Sequence, residues 1–391
     1  MISQKEKTAL STSVGADVEQ SSQILNNEII TENFENCNSN GAQNLNGVND
    51  FQRELLLGFC PGYFKTVTMG ELYETIFDSE QAVIEDILYP GVYILAGTPK
   101  VGKSFLMAQL AYHVSKGRSI WDLKTQKGTV LYLALEDNYQ RLQGRLFKMF
   151  GEDISDNFHL AININPLENG LIKQLKFFYD SHNDTKLIII DTLQKVRNNN
   201  GEGYSYANDY EIIGQLKEFA DENKVCILLV HHTRKQDAED KFDMISGTNG
   251  LLGASDGALL LYKEKRTSLN ATLEISGRDQ QDQKLLLNRN TETLAWELEK
   301  RETELWKTPP DPLLEKISTT LLKEKSYWEG SATELCKLLD LDIKPNTLSL
   351  KLNISAGKLS KEYKISYENR RSHDGRKIIL SKEIDEETLK N

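Results

Sequence analysis

Residues 97–104 read GTPKVGKS. No other short stretch restricts the fold of this chain as tightly. Gly97, Gly102, Lys103 and Ser104 fall on the spacing G-x-x-x-x-G-K-[ST]. With that spacing, successive backbone N–H groups wrap a row of phosphates, and glycine lets the backbone come close. Such a loop leaves a buried strand and enters a helix whose N-terminus attracts anions. The flanks comply. GVYILAG (91–97) is an apolar run ending in glycine, and KSFLMAQLAYHVSKG (103–117) has helical periodicity with a closing glycine. Gly97, Thr98, Pro99, Lys100, Val101, Gly102, Lys103, Ser104 and Phe105 are therefore the expected nucleotide-binding segment. Lys103 is expected at the β- and γ-phosphates of ATP and Ser104 at Mg2+.

Further apolar runs lie at 128–136, 158–164, 186–192, 224–232 and 257–263, with helical patterns at 138–150, 168–182 and 206–223. Strands alternating with helices predict an α/β fold with a mostly parallel sheet covered on both faces. Two final runs, 273–278 and 284–289, predict a hairpin that extends one edge. Residues 1–55 are polar and rich in Asn, Ser, Gln and Glu, and read as a disordered tail. The α/β domain is placed at 56–300 and a linker at 301–312, where Pro309, Pro310 and Pro312 are expected to stop regular structure. Residues 313–391 come last, read as three helices and a two-stranded wing, a winged-helix-like α+β domain.

Carboxylates complete the site. Asp191 ends the apolar strand LIIID, where a strand-end carboxylate suits the second magnesium contact. Thr192 is next in the chain, so the position beside the metal ligand offers no base. Glu136, ending GTVLYLALE on another strand, is the first candidate to activate water, and Asp137 the second. The plainer reading makes Glu136 the cap of the helix after it. His231 and His232 end the strand KVCILLVHH; His232 is favoured as the side chain that senses the γ-phosphate.

The stretches LAGTPKVGKSFLMAQLA, VLYLALEDNYQRLQGRL, LIIIDTLQKV, LLVHHTRK, GTNGLLGASDGALLLYK and ISGRDQ, in that order, resemble the RepA-like branch of the RecA/DnaB superfamily. These are ring-forming, RecA-like P-loop ATPases of plasmids, phages and other mobile elements. The resemblance spans residues 66–298. It implies that Glu136 is the catalytic glutamate, that His232 or His231 is the phosphate sensor, and that ATP sits between subunits of a hexamer. A basic residue of the neighbouring subunit would complete each site; Lys263, Lys265, Arg266 and Arg278 are the candidates. Thr248 and Asn249 depart from the pattern, because relatives often carry an Arg-Gly-Ser run there.

The net charge is −11, which excludes a chain-wide basic footprint for nucleic acid. Any such surface is local. Lys195, Arg197, Arg234 and Lys235 lie in two long polar segments expected to face a channel that holds single-stranded DNA; Asp237, Glu239, Asp240 and Asp243 oppose them. Between 344 and 382 ten basic residues stand against Glu362, Glu368 and Asp374, as suits a module that grips duplex DNA. Four scattered cysteines suggest neither a disulfide framework nor a zinc site, and a reducing cytoplasm is expected. No apolar run is long enough to span a bilayer. The expectation is thus an ATP-hydrolysing DNA motor, a helicase or translocase. Its rivals are an ATP-gated initiator or loader that does not unwind, and a small-molecule kinase, for which no acceptor-binding segment is apparent.

Overall fold

The computed structural model describes residues 64, 66–77, 80–196, 206–233, 242, 245, 250–278, 280–303, 309–321, 326–372 and 375–382. The tail at 1–55, Arg197, residues 234–241, Asp243, Thr248, Asn249 and Asp374 lie outside these residues. Backbone contacts divide the chain into two units, residues up to 76 with Lys344–Ile354, and Phe77–Ile343 with Ser355–Asn391.

In the first unit a short helix, α1 (Met69–Glu74), is opened by a capping box between Thr68 and Glu71. In the second unit a nine-stranded sheet runs β3-β2-β4-β5-β1-β6-β7-β8-β9. Its strands are β1 (Gly91–Gly97), β2 (Thr129–Ala134), β3 (Phe158–Ala161), β4 (Thr185–Asp191), β5 (Cys226–His232), β6 (Gly257–Tyr262), β7 (Asn270–Gly277), β8 (Gln280–Arg289) and β9 (Trp296–Arg301). The first six are mutually parallel and the last three antiparallel. This is the mostly parallel α/β sheet that the alternation predicts, and the RecA-like fold that the resemblance implies.

The helices between the strands are α2 (Lys103–Lys116), α3 (Tyr139–Phe150), α4 (Leu171–Ser181), α5 (Tyr206–Asn223) and α6 (Gly250–Ala254). Strand alternation divides the core between two faces. Val130, Tyr132, Leu187, Ile189, Leu228 and Val230 pack with α2 and α3. Leu131, Leu133, Ile188, Ile190, Ile227 and Leu229 pack with α4, α5 and α6. Both faces are apolar because both are covered, which is why these strands read as continuous hydrophobic runs.

Strand β9 departs from the expected linker at its first residue, 301, and adds a strand the sequence pattern does not show. WELEKR carries one fully buried side chain, Trp296, and the rest lies at the sheet edge, so its composition resembles a charged linker. Among the C-terminal elements, α7 (Pro312–Lys316) continues as a π-helical turn, Ile317–Leu321. Here the proline expectation is corrected. Pro312 starts the helix and Asp311 caps it, because the first helical position needs no N–H. Next come β10 (Tyr327–Gly330), α8 (Ala332–Leu338), a single long helix α9 (Pro345–Tyr363), β11 (Ile365–Ser372) and β12 (Gly375–Lys382). The expected hairpin β11–β12 is present, and β10, which the pattern does not predict, pairs with β12 to make a three-stranded antiparallel sheet.

Candidate active site

The rule that distributes the core also assembles the site. Odd-numbered residues of β4 (187, 189) and even-numbered ones of β2 (130, 132, 134) and β5 (226, 228, 230) face α2. Continuing that alternation to the strand ends puts Asp191, Glu136 and His232 on the α2 side, above the loop that begins the helix. His231 falls on the opposite side, which favours His232 in the choice between the two.

The loop itself is held by close packing. An added Cβ on Gly97 would lie 2.3 Å from the Leu261 carbonyl oxygen, and one on Gly102, at φ +114°, would lie 2.7 Å from the Trp296 ring. Only glycine fits either position. Trp296 Nε1 donates to the Gly102 carbonyl at 3.3 Å, while Gln109 grips the Trp296 backbone through two hydrogen bonds of 2.7 and 2.8 Å. The antiparallel extension of the sheet thus buttresses the loop from outside.

Lys103 is buried and its ammonium donates to the carbonyls of Gly97 (2.7 Å) and Thr98 (3.2 Å). It also lies 3.1 Å from His232 Nδ1. Burial lowers its pKa from 10.5 to about 8, against the pull of Asp191 and Glu136. A protonated lysine has no lone pair, so His232 Nδ1 accepts and the ring proton sits on Nε2. Burial, and then Lys103, lower the His232 pKa, which favours this neutral form. Its Nε2 N–H is a donor suited to a phosphate oxygen.

Asp191 is nearly buried, and burial raises its pKa, opposed first by its hydrogen bond with Ser104 and then by that with Tyr132. The Tyr132 hydroxyl donates to Asp191 Oδ2 at 2.9 Å. The two expected magnesium contacts are therefore adjacent. A hydroxyl and a carboxylate are hard oxygen donors, and two of them suit a Mg2+ that also keeps waters and phosphate oxygens. Among the described residues no group of three or more His, Cys, Asp or Glu gathers as a metal cluster.

Glu136 is solvent-exposed, and its Oε1 accepts from Thr192 Oγ1 at 3.1 Å. It does not cap α3; Asn138 does, accepting from the Arg141 N–H at 2.9 Å. The plainer reading of Glu136 is corrected, because the shorter amide side chain sits at the cap position itself. Asp137 is tied to Arg141 and Arg145 by ion pairs of 2.7 Å each, so its carboxylate is already engaged.

Beside the loop lies a cationic group for which the sequence pattern gives little warning. Phe105 is flanked by Arg289 (4.1 Å from its ring centre) and Arg145 (5.0 Å). Arg289 Nε and Arg145 Nη1 are buried without a hydrogen-bond partner. Burial, then Arg145, lower the Arg289 pKa. Arg145 has a signal, since it continues the basic face of RLQGRL; Arg289 and Trp296, some 190 residues downstream of the loop, have none. Of the four candidates for the basic residue acting on a neighbour, two bond within their own chain. Lys263 donates to the Ser268 carbonyl and Arg278 to the Gly253 carbonyl, both at 2.7 Å. Lys265 and Arg266 are exposed in the turn between β6 and β7.

Residues 61–238 match the family model described as an AAA domain. No curated protein matches the chain in sequence. Among solved structures it is similar to a DnaB-like replicative helicase, described with its interactions with primase, at 14% identity and a TM-score of 0.48 over 73% of this chain and 77% of that one. A KaiC-like protein of Pyrococcus horikoshii OT3 is similar at 14% identity and a TM-score of 0.42, over 57% of this chain and 99% of that one. The match to an AAA domain covers less than half of the chain. It agrees with the P-loop ATPase type that the sequence resembles, as do the glycine loop and the mostly parallel sheet. No helix among the described residues is long and apolar enough to cross a membrane.

Proposed function

We propose that this chain is an ATP-hydrolysing DNA motor of the RepA-like kind, a helicase or translocase serving replication of a plasmid, phage or other mobile element. The observation that carries the ATPase chemistry is the meeting of Lys103, Ser104, Asp191, Glu136 and His232 at one edge of the sheet, from four separate segments. Lys103 and the loop N–H groups hold the phosphates of ATP. Ser104 and Asp191 hold Mg2+, which offsets the negative charge of the phosphates. Glu136, exposed at the mouth, orients the attacking water. His232 offers its Nε2 proton to the γ-phosphate; on arrival of that group Lys103 turns from His232 to phosphate, and the end of β5 registers the change.

The organisation proposed is an ATPase domain at 56–300, a linker at 301–312 and a winged-helix-like module at 313–391, in a hexameric ring. Lys265 or Arg266 of one subunit then completes the site of the next. DNA as the partner is supported by the β11–β12 hairpin. Arg371 stands opposite Arg376, a like-charged pair across the hairpin. Such a pair destabilises a hairpin and is relieved by an anion. The acidic residues at 237–243 favour the second reading, an ATP-gated loader that marks DNA without unwinding it.

The test is the ATPase rate of the full chain with and without single-stranded DNA. Stimulation is expected. Glu136→Gln is expected to keep nucleotide binding and lose turnover by about 10²-fold or more, and Lys103→Ala to abolish hydrolysis. A flat response to DNA with intact basal turnover refutes the motor and favours the loader.

A further inference from the structure

Tyr132 is fully buried in the middle of β2, in a run that otherwise contains only apolar side chains, VLYLAL. A tyrosine in such a place must pair its hydroxyl. Phenylalanine would fill nearly the same volume without that demand. Opposite it across the sheet is Ile189, two residues before Asp191, and both strands face α2. The ring therefore leans along the strand toward the site, and its hydroxyl donates to Asp191 Oδ2 at 2.9 Å. Ser104 joins the same group, its hydroxyl donating to the Asp191 carboxylate. The buried phenol and the serine assigned to the metal thus meet on one carboxylate, which is itself assigned to the metal.

A carboxylate on a single Cβ rotates freely, and a serine hydroxyl turns through three rotamers. Each must be ordered before it can meet a hard cation that tolerates only near-octahedral geometry. Holding Oδ2 leaves Oδ1 in one direction, and the carboxylate so fixed orients the Ser104 hydroxyl that donates to it. We propose that Tyr132 is a positioning residue of the Mg2+ site, presetting Asp191 and Ser104 for the metal–nucleotide complex; this rests on the ATPase reading above. Partners that orient a metal's ligands change affinity by about 10–100-fold when removed.

The test is nucleotide binding by the full chain, read with a fluorescent ADP analogue in EDTA and across a Mg2+ titration. Tyr132→Phe keeps the ring and removes one oxygen. Its affinity in EDTA is expected within about two-fold of the unsubstituted protein, while the Mg2+ needed for half-maximal binding rises about ten-fold. In an Asp191→Asn background the same change is expected to have no further effect on the Mg2+ requirement. An unaltered Mg2+ requirement in Tyr132→Phe overturns the assignment. So does failure of Tyr132→Phe to fold, since the hydroxyl would then be a need of the core. If the unsubstituted protein binds no nucleotide, the ATPase reading falls as well.

Discussion

Lys103 is the side chain whose protonation its surroundings control most strongly at the loop. Its ammonium is buried with only carbonyls and one imidazole as partners, and its pKa is lowered to about 8. Bound phosphates bring negative charge and push that value back up. Nucleotide binding near pH 8 is therefore accompanied by proton uptake, and affinity falls as the pH rises through that value. Calorimetry of ADP binding at pH 8 in buffers of different ionisation enthalpy checks this, and equal heats in all buffers would sink it. Without nucleotide, stability shows the opposite trend. The unfolded chain holds the Lys103 proton up to about 10.5, so between about 8 and 10.5 the unfolded state binds more protons and this group's contribution to stability rises with pH.

At the level of elements, the site depends on ends rather than middles. β2, β4 and β5 stop at the same edge, and the residues at and just beyond their ends carry the chemistry. Helix α3 begins directly after Glu136 and Asp137, and its cap is Asn138. Capping and the proposed catalysis are thus divided between neighbours. Asn138→Ala is expected to lower stability by about 1 kcal/mol in denaturant unfolding. Glu136→Ala, which removes no cap, is expected to leave stability nearly unchanged while turnover is lost. Comparable destabilisation by both would return the cap to Glu136.

For the whole molecule the issue is how a chain of net charge −11 would meet DNA, the partner proposed above. Of the ten basic residues between 344 and 382, Lys358 pairs with Glu362 (3.9 Å), Arg370 with Glu368 (2.6 Å) and Lys377 with Glu329 (3.0 Å), all within the same chain. Exposed pairs of this kind contribute little to stability but do reduce the charge offered to a phosphate. Arg371, exposed and facing Arg376 across the hairpin, is the informative position. Arg371→Thr is expected to raise stability by a few tenths of a kcal/mol, roughly the relief of one like-charged cross-strand pair. The same change is expected to weaken DNA binding and to reduce the slope of log affinity against log salt by about 1. A variant with unchanged DNA affinity and salt dependence would take the hairpin out of the interface.

The sequence by itself determined the loop, the alternation of strands and helices, and the strand-end positions of Asp191, Glu136 and His232, because each is written in neighbouring residues. Periodicity and glycine spacing are local signals, and a parallel sheet turns local strand ends into one common edge. Only the tertiary structure decided which histidine shares the face of Lys103, that Asn138 rather than Glu136 caps α3, and that Asp137 is engaged by arginines. It alone brought Trp296 and Arg289 against the loop, from 194 and 187 residues beyond Gly102. Contacts across that separation depend on strand order and register, neither of which leaves a mark on adjacent residues. Tyr132 lies between the two cases. Its hydroxyl in an apolar strand is visible in the sequence, but the partner it answers to, 59 residues away on β4, is chosen by the pairing of the strands.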